Sequence, residues 1–293
     1  MDWMTNQSYK QNSVLLFLET IKFEHSLFAL PFAYLGLILS ERGLPRFSVF
    51  LGVTVAMVSF RTFAMAMNRL VDREVDLQNP RTQLRALPQK KISPHFVKSA
   101  AFVSLLLFVG TISTLSPLCL KLSPIPIFLA WIYPYLKRFT WLSHGVLGII
   151  LGISPYGAWL ANRGEFSWIP GFLLIGVTSW VAGFDILYAL QDFDFDQSFG
   201  LRSMPVRFGK ERALKLAGAF HLAALVSWAL AGKLAGLGWL YGGGLAFAAF
   251  FLVREHWLVH RFGLAKIEQA FFVMNIGVSF GLFLAALLDL LIA

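Results

Sequence analysis

Long stretches with no charged side chain set the limits on what this chain folds into. Residues 99–120, 139–162, 166–184, 234–253 and 270–288 contain no Asp, Glu, Lys or Arg. Each approaches the ~20 residues, at about 1.5 Å apiece, that a helix needs to cross a bilayer's hydrocarbon core. Shorter or once-interrupted apolar runs near 22–41, 47–68, 122–136 and 211–232 bring the expected spans to nine, with Pro124, Pro126 and Pro134 crowding the fourth. Backbone groups in hydrocarbon have no water to bond to, so spans of this length are helices. The expected fold is all-α: one polytopic membrane domain over 1–293, with nine transmembrane helices around a central cavity that opens to the cytoplasmic side.

Composition agrees. Of 293 residues, 57% are hydrophobic and 14% charged, where a water-soluble domain carries about 25% charged residues. A disordered or collagen-like chain is excluded, and one cysteine, Cys119, allows no internal disulfide. The net charge of +9 does not point to nucleic acid, because the basic residues lie between apolar runs rather than in one patch. With the N-terminus inside, the outer segments keep only Arg42, Arg46, Lys121, Arg163 and Lys233, Arg61 lies within a span, and all other Lys and Arg fall inside. That bias puts the long loops after spans two and six in the cytoplasm and makes the chain a multi-pass protein of the cell (inner) membrane.

The carboxylates are scarcer and more telling. Seven of the 16 acidic residues occupy two segments, Asn68-Arg-Leu-Val-Asp72-Arg-Glu-Val-Asp76 and Asp185-Ile-Leu-Tyr188-Ala-Leu-Gln-Asp192-Phe-Asp194-Phe-Asp196. Asn68, Asp72 and Asp76 recur every fourth residue, as do Tyr188, Asp192 and Asp196, and Asp185 lies three before Tyr188. On a continuous helix such residues share a face at about 5–6 Å. Like charges at that spacing repel, and a hard cation such as Mg²⁺ turns the repulsion into coordination. Asp194 falls on another face.

The two segments also look like copies. Asp72 to Asp192 and Asp76 to Asp196 are the same interval, and Leu84-Arg85-Ala-Leu-Pro88 finds its counterpart in Leu201-Arg202-Ser-Met-Pro205. A duplicated four-helix unit follows, with spans 1–4 over about 14–136, spans 5–8 over about 139–254, and span 9 over about 269–292.

Basic side chains beside carboxylates and Mg²⁺ point to phosphate chemistry. The candidates are Arg81, Arg85, Arg202, Arg207 and the Lys137–Arg138 pair between spans four and five. Arg61 lies seven residues before Asn68 on the same face, about 10 Å deeper, where a charge needs a partner. That partner is either the carboxylate of a substrate or Glu24 of span one. His25, His144 and His221 have no metal-ligand spacing and are read as packing or hydrogen-bonding residues, and Trp131, Tyr133 and Tyr135 as interfacial anchors. An ion-coupled transporter also uses intramembrane carboxylates, but near the midplane rather than at span ends beside arginines.

The first segment, followed by Asn79-Pro-Arg81-Thr82, and the second, Asp185-x-x-Tyr188-Ala189-x-x-Asp192-x-x-x-Asp196, resemble the two signatures of the UbiA-type intramembrane aromatic prenyltransferases. The resemblance implies Mg²⁺ on Asp72, Asp76, Asp192 and Asp196, with a polyprenyl diphosphate as donor. It implies donor diphosphate on Asn68, Arg81, Lys137, Arg138 and Arg202. A small aromatic acceptor would lie by Arg61, Asp185 and Tyr188, and catalysis would depend on Asp72, Asp192 and Arg61. Arg69 stands where many relatives have a second acidic residue. The Tyr188-Ala189 form resembles members acting on 4-hydroxybenzoate, for ubiquinone. The stretch Lys22-Phe-Glu24-His25-Ser-Leu-Phe-Ala-Leu-Pro31 resembles a bacterial subgroup, some of whose members use 1,4-dihydroxy-6-naphthoate in the futalosine route to menaquinone.

Overall fold

The computed structural model describes residues 13–263 and 267–292, without the side chains of His25, Leu27, Phe28 and residues 267–271. Among the described residues it is all helix, with no strand. A short α1 (Ser13–Thr20) and a 3-10 turn (Phe23–His25) lead into α2 (Ser26–Glu41), α3 (Phe47–Val71) and the short α4 (Arg73–Gln78). After a loop come α5 (Pro94–Ser113), α6 (Pro117–Leu122), α7 (Pro124–Leu136), α8 (Ser143–Arg163) and α9 (Trp168–Ala189). A 3-10 turn (Leu190–Asp192) joins α10 (Phe193–Phe199), which is followed by α11 (Met204–Phe208), α12 (Lys210–Ala235), α13 (Trp239–Phe262) and α14 (Ile267–Ile292).

Seven segments are long and apolar enough to cross a bilayer: 47–71, 94–113, 117–136, 143–163, 168–199, 210–235 and 272–292. The protein is thus a polytopic all-α membrane protein. The apolar stretch 29–41 is shorter, and α13 is 24 residues long but carries Arg254, Glu255, His256, His260 and Arg261 in its last turns.

The helix ends differ instructively from the charge-free windows. Residues 99–120 are not one span: α5 stops at Ser113, and Ser116, accepting from Leu118 N at 3.3 Å, caps a new helix that Pro117 begins. Ser93 with Pro94 and Ser167 before Trp168 start α5 and α9 in the same manner. A serine hydroxyl satisfies an orphan N–H, and proline in the first turn has none to lose, so caps rather than charges place these ends.

The larger core lies among α2, α8, α9, α12, α13 and α14. Phe32 stacks on Trp228 at 5.3 Å and tilts against Trp180 at 5.0 Å, with both tryptophans fully buried. Backbones approach closely here: a Cβ on Gly148 would overlap Thr178 O, and one on Gly36 would overlap Pro155 O. Small residues at crossings are how membrane helices gain dispersion contacts without a hydrophobic drive. A second core joins α1, α3, α5 and α7 through Phe17, Phe63, Ala66, Val97, Ala101 and Ala130. Outward-facing Phe102, Leu106, Phe250 and Val253 are exposed, as lipid contact requires.

One buried carboxylate outside the acidic segments is structural. Asp289 of α14 accepts from Gly238 N and, at 3.2 Å, from Leu240 N, so it caps α13 across a helix interface. Asp289→Ala is expected to cost about 0.5–2 kcal/mol, the range for lost N-caps. The check is a lower thermal midpoint in detergent with turnover retained at low temperature.

Candidate active site

The two acidic segments meet at one end of the bundle, and each interrupts its helix before the last aspartates, near Asp72 in the first and over 190–192 in the second. Asp72 has φ −88° and ψ 3°, between α3 and α4, and Asp192, the last residue of the 3-10 turn, has φ −95° and ψ 4° just before α10. The expected continuous face is therefore corrected to a helix end followed by a re-aimed turn. The break aims the later aspartates, Asp76 and Asp196, which are almost fully buried. Repelling carboxylates at four-residue spacing disfavour an unbroken helix, which is a physical reason for the interruption.

Arginines from the loop after α4 neutralise the carboxylates. Arg81 grips Asp192 with two bonds, Nε to Oδ1 at 2.8 Å and Nη2 to Oδ2 at 2.6 Å, and its Nη1 donates to Tyr188 Oη at 3.0 Å. Asn79 Nδ2 adds a bond to Asp192 Oδ1 at 2.9 Å. Arg85 Nη1 lies 2.8 Å from both oxygens of Asp76. The loop of the first segment is thus fastened to the aspartate of the second. Burial alone would lower the Arg81 guanidinium, but its hydrogen bonds to Asp192 and that carboxylate's charge hold it above its ordinary value.

Lys137 and Arg138 reach the same place from the loop between α7 and α8. Lys137 Nζ is 3.9 Å from Asp196 Oδ2, and Arg138 Nη2 is 3.9 Å from Asp72 Oδ1. Burial would lower the Lys137 ammonium, yet the surrounding Asp196, Asp185, Asp192 and Asp72 raise it, so it stays charged. Asn68 Nδ2 donates to Asp72 Oδ2 at 3.0 Å. Burial and the neighbouring Asp76 push the Asp72 carboxyl up to about 6, against Lys137, Arg138 and Arg69.

Not every candidate faces the cluster. Arg202 Nη1 donates to Phe139 O at 2.8 Å and its N–H to Lys137 O at 2.7 Å, so it fastens the loop that carries Lys137. Arg207 is exposed. Asp194 is exposed beside Lys210 at 3.5 Å. Asp185 Oδ2 lies 2.7 Å from His144 Nδ1, and His144 Nε2 accepts from Met204 N at 3.3 Å. An accepting Nε2 leaves the proton on Nδ1, which makes His144 the donor to Asp185. His144 is thus one of the hydrogen-bonding histidines expected within the spans. His221 pairs with His256 at 3.0 Å, and the His25 side chain lies outside those described.

Beneath the cluster runs an apolar cavity of about 330 Å³ between α3, α5, α7 and α8, lined by Asn68 and Arg61 near the acidic end and by Phe60, Met57, Val53 and Leu160 farther in. Tyr133 lines it too, which corrects its reading as an interfacial anchor. Arg61 Nη2 donates to Lys22 O at 3.2 Å, and its buried Nε has no partner. Glu24 is paired with Lys22 at 3.6 Å and is half-exposed; its charge reaches Arg61, but the two make no direct ion pair. A more polar recess of about 520 Å³ adjoins, lined by Glu19, Lys22, Arg69, Arg81, Arg85 and Tyr188. Arg69 is buried and donates from Nε to Thr20 O at 2.8 Å.

Among the described residues no three acidic, histidine or cysteine side chains are gathered closely enough to hold an ion by themselves. The donor set nonetheless fits Mg²⁺ arriving with a phosphate ligand, since that ion is usually bound by one or two carboxylates plus substrate oxygens. A buried Asp196 Oδ2 without a hydrogen-bond partner is an oxygen available for it.

A membrane bundle with paired aspartate segments above an apolar cavity defines a class of intramembrane transferase. The chain belongs to the UbiA prenyltransferase family, whose model matches residues 29–277, and it is a prenyltransferase. It is 32% identical to the 4-hydroxybenzoate octaprenyltransferase of Vibrio campbellii, over 77% of this chain and 80% of that one. To the 4-hydroxybenzoate octaprenyltransferase of Shewanella frigidimarina it is 31% identical, over 88% and 90%. The apo structure of a UbiA homolog from Aeropyrum pernix superposes with a TM-score of 0.83 at 30% identity, covering 91% of this chain and 98% of that one. A UbiA homolog from Archaeoglobus fulgidus, solved with DMAPP and Mg²⁺, shares the fold at a TM-score of 0.67 and 17% identity, over 91% and 98%.

Proposed function

We propose that this protein transfers a polyprenyl group from its diphosphate to the ring carbon ortho to the hydroxyl of 4-hydroxybenzoate, with release of diphosphate, in ubiquinone synthesis. The observation that carries the reading is the convergence of Asp72, Asp76, Asp192 and Asp196, with Lys137, Arg81 and Arg85, over an apolar cavity that holds Arg61. The names of the Vibrio and Shewanella relatives support the acceptor. The basic loops support a site facing the cytoplasm and an N-terminus on that side. The matching breaks at Asp72 and Asp192 support two related halves within a nine-span domain.

The four aspartates would hold Mg²⁺, which supplies charge neutralisation for the diphosphate as its bond to the allylic carbon breaks. The protein's own cations do the rest of the anchoring. An arginine has five N–H donors. Arg85 uses only Nη1 on Asp76, which leaves donors for diphosphate oxygens. Lys137, Arg138 and Asn68 border the same point. The C–O electron pair leaves with the diphosphate, and the ring carbon of the acceptor bonds to the allylic carbon. The ring proton then passes to the departing diphosphate or to a carboxylate of the site. An apolar cavity keeps water from the allylic cation, and Arg61 offers the acceptor carboxylate a charged partner at the cavity wall.

The test uses membranes containing the protein, a polyprenyl diphosphate and Mg²⁺, with 4-hydroxybenzoate and 1,4-dihydroxy-6-naphthoate offered separately. Prenylated 4-hydroxybenzoate, lost on addition of EDTA and regained with excess Mg²⁺, is the expected product. Prenylated naphthoate alone would move the protein to menaquinone synthesis, and no product from either would overturn the reading.

A further inference from the structure

Gly157 is one of the α8 residues that line the apolar cavity. The other glycines of this helix that matter to packing, Gly148 and Gly152, are pressed against Thr178 and Leu174 of α9, where a Cβ would overlap the neighbouring helix. Gly157 lines the cavity, and nothing lies within 4 Å of where its Cβ would stand. Helix packing therefore does not require glycine there, and any side chain would project into the cavity.

Its depth follows from the helices. Cys119 Sγ donates to Gly157 O at 3.6 Å, and Cys119 packs with the cluster of Val53, Met57 and Leu115 at the end of the cavity away from the carboxylates. Val53 precedes Asn68 by fifteen residues on α3, about 22 Å along the axis. An isoprene unit adds four carbon–carbon bonds to a chain, about 4–5 Å when extended. Gly157 thus stands about five units from the point where the diphosphate is held.

We propose that Gly157 sets which donors this enzyme accepts: the missing side chain leaves a passage for polyprenyl chains longer than about five units, and a side chain there restricts the enzyme to shorter ones. The inference rests on the polyprenyl-transfer reading above and adds to it the length class of the donor. The physical basis is that the far end of a long chain must share space with residue 157, whereas a two-unit chain ends before reaching it. Overfilling a packed apolar site is costly, and even one methylene in an apolar pocket discriminates about 10- to 200-fold.

The experiment compares purified wild type with Gly157→Leu and Gly157→Ala, using two-unit and eight-unit allylic diphosphates and one acceptor. The readout is the ratio of kcat/KM for the eight-unit donor to that for the two-unit donor. A fall of about 10- to 200-fold in Gly157→Leu, with a smaller fall in Gly157→Ala, is the expected result. An unchanged ratio in Gly157→Leu overturns the proposal. If Gly157→Leu shows no thermal transition, Gly157→Ala decides, and an unchanged ratio there overturns it equally. Wild type that transfers neither chain would overturn the prenyl-transfer reading itself, an outcome distinct from loss of length dependence.

Discussion

Asp192→Ala is expected to lower Mg²⁺-dependent prenyl transfer by about a thousandfold or more, while Asp194→Ala, two residues away and of the same charge, leaves it within about twofold. Asp192 is buried and takes two bonds from Arg81 and one from Asn79; Asp194 is exposed against Lys210. Losing one preorganised electrostatic group in an active site costs about 10²–10³ in rate. At Asp192 a second loss adds to it, because Arg81 no longer has the carboxylate that holds it and its loop over the site. Steady-state turnover in membranes, with thermal midpoints to show that both variants fold, measures the contrast. Equal activity in the two variants would remove Asp192 from the chemistry.

That contrast was partly legible in the sequence. The four-residue recurrence of Asp72 with Asp76 and of Asp192 with Asp196 identified the aspartates, and the different phase of Asp194 separated it from them. Four-residue spacing holds a common face only on an unbroken helix, and the chain bends at Asp72 and Asp192 to bury the aspartates that follow. The pairing of Arg81 with Asp192 was illegible for a different reason. It joins segments far apart in sequence, and no local pattern reports which loop folds over which helix end. Asn79 and Arg85 escaped a specific role in the same way. Tyr133 and His144 carried the signals of an interfacial aromatic and an isolated histidine, which are the same whether the side chain faces lipid, core or cavity. For spans, charge-free windows found the apolar runs, but Ser-Pro caps moved the ends, most visibly where α5 stops at Ser113 inside an apolar stretch. Gly157 was invisible for the opposite reason, since its meaning lies in the space beside it.

Arg61 carries the second large expectation, and it is specific to one substrate. Arg61→Gln is expected to lower kcat/KM for 4-hydroxybenzoate about 30- to 4,000-fold, the equivalent of the ~2–5 kcal/mol that truncating one member of a desolvated charge pair costs. The KM for the polyprenyl diphosphate should hardly move. Arg61 is only partly satisfied by the protein: its guanidinium gives one bond to Lys22 O, its buried Nε has no partner, and Glu24 is engaged by Lys22. A cation kept in an apolar wall with no directly bonded protein carboxylate, and only the more distant charge of Glu24, leaves its donors available to a ligand's carboxylate, and planar guanidinium suits planar carboxylate better than an ammonium does. Arg61→Lys should therefore recover only part of the loss. A neutral phenol without the carboxylate sharpens the test, because it has nothing for Arg61 to grip. Wild type and Arg61→Gln should prenylate it at similar, low efficiency. If the variant instead loses donor affinity and acceptor affinity alike, Arg61 serves the cavity wall rather than the acceptor.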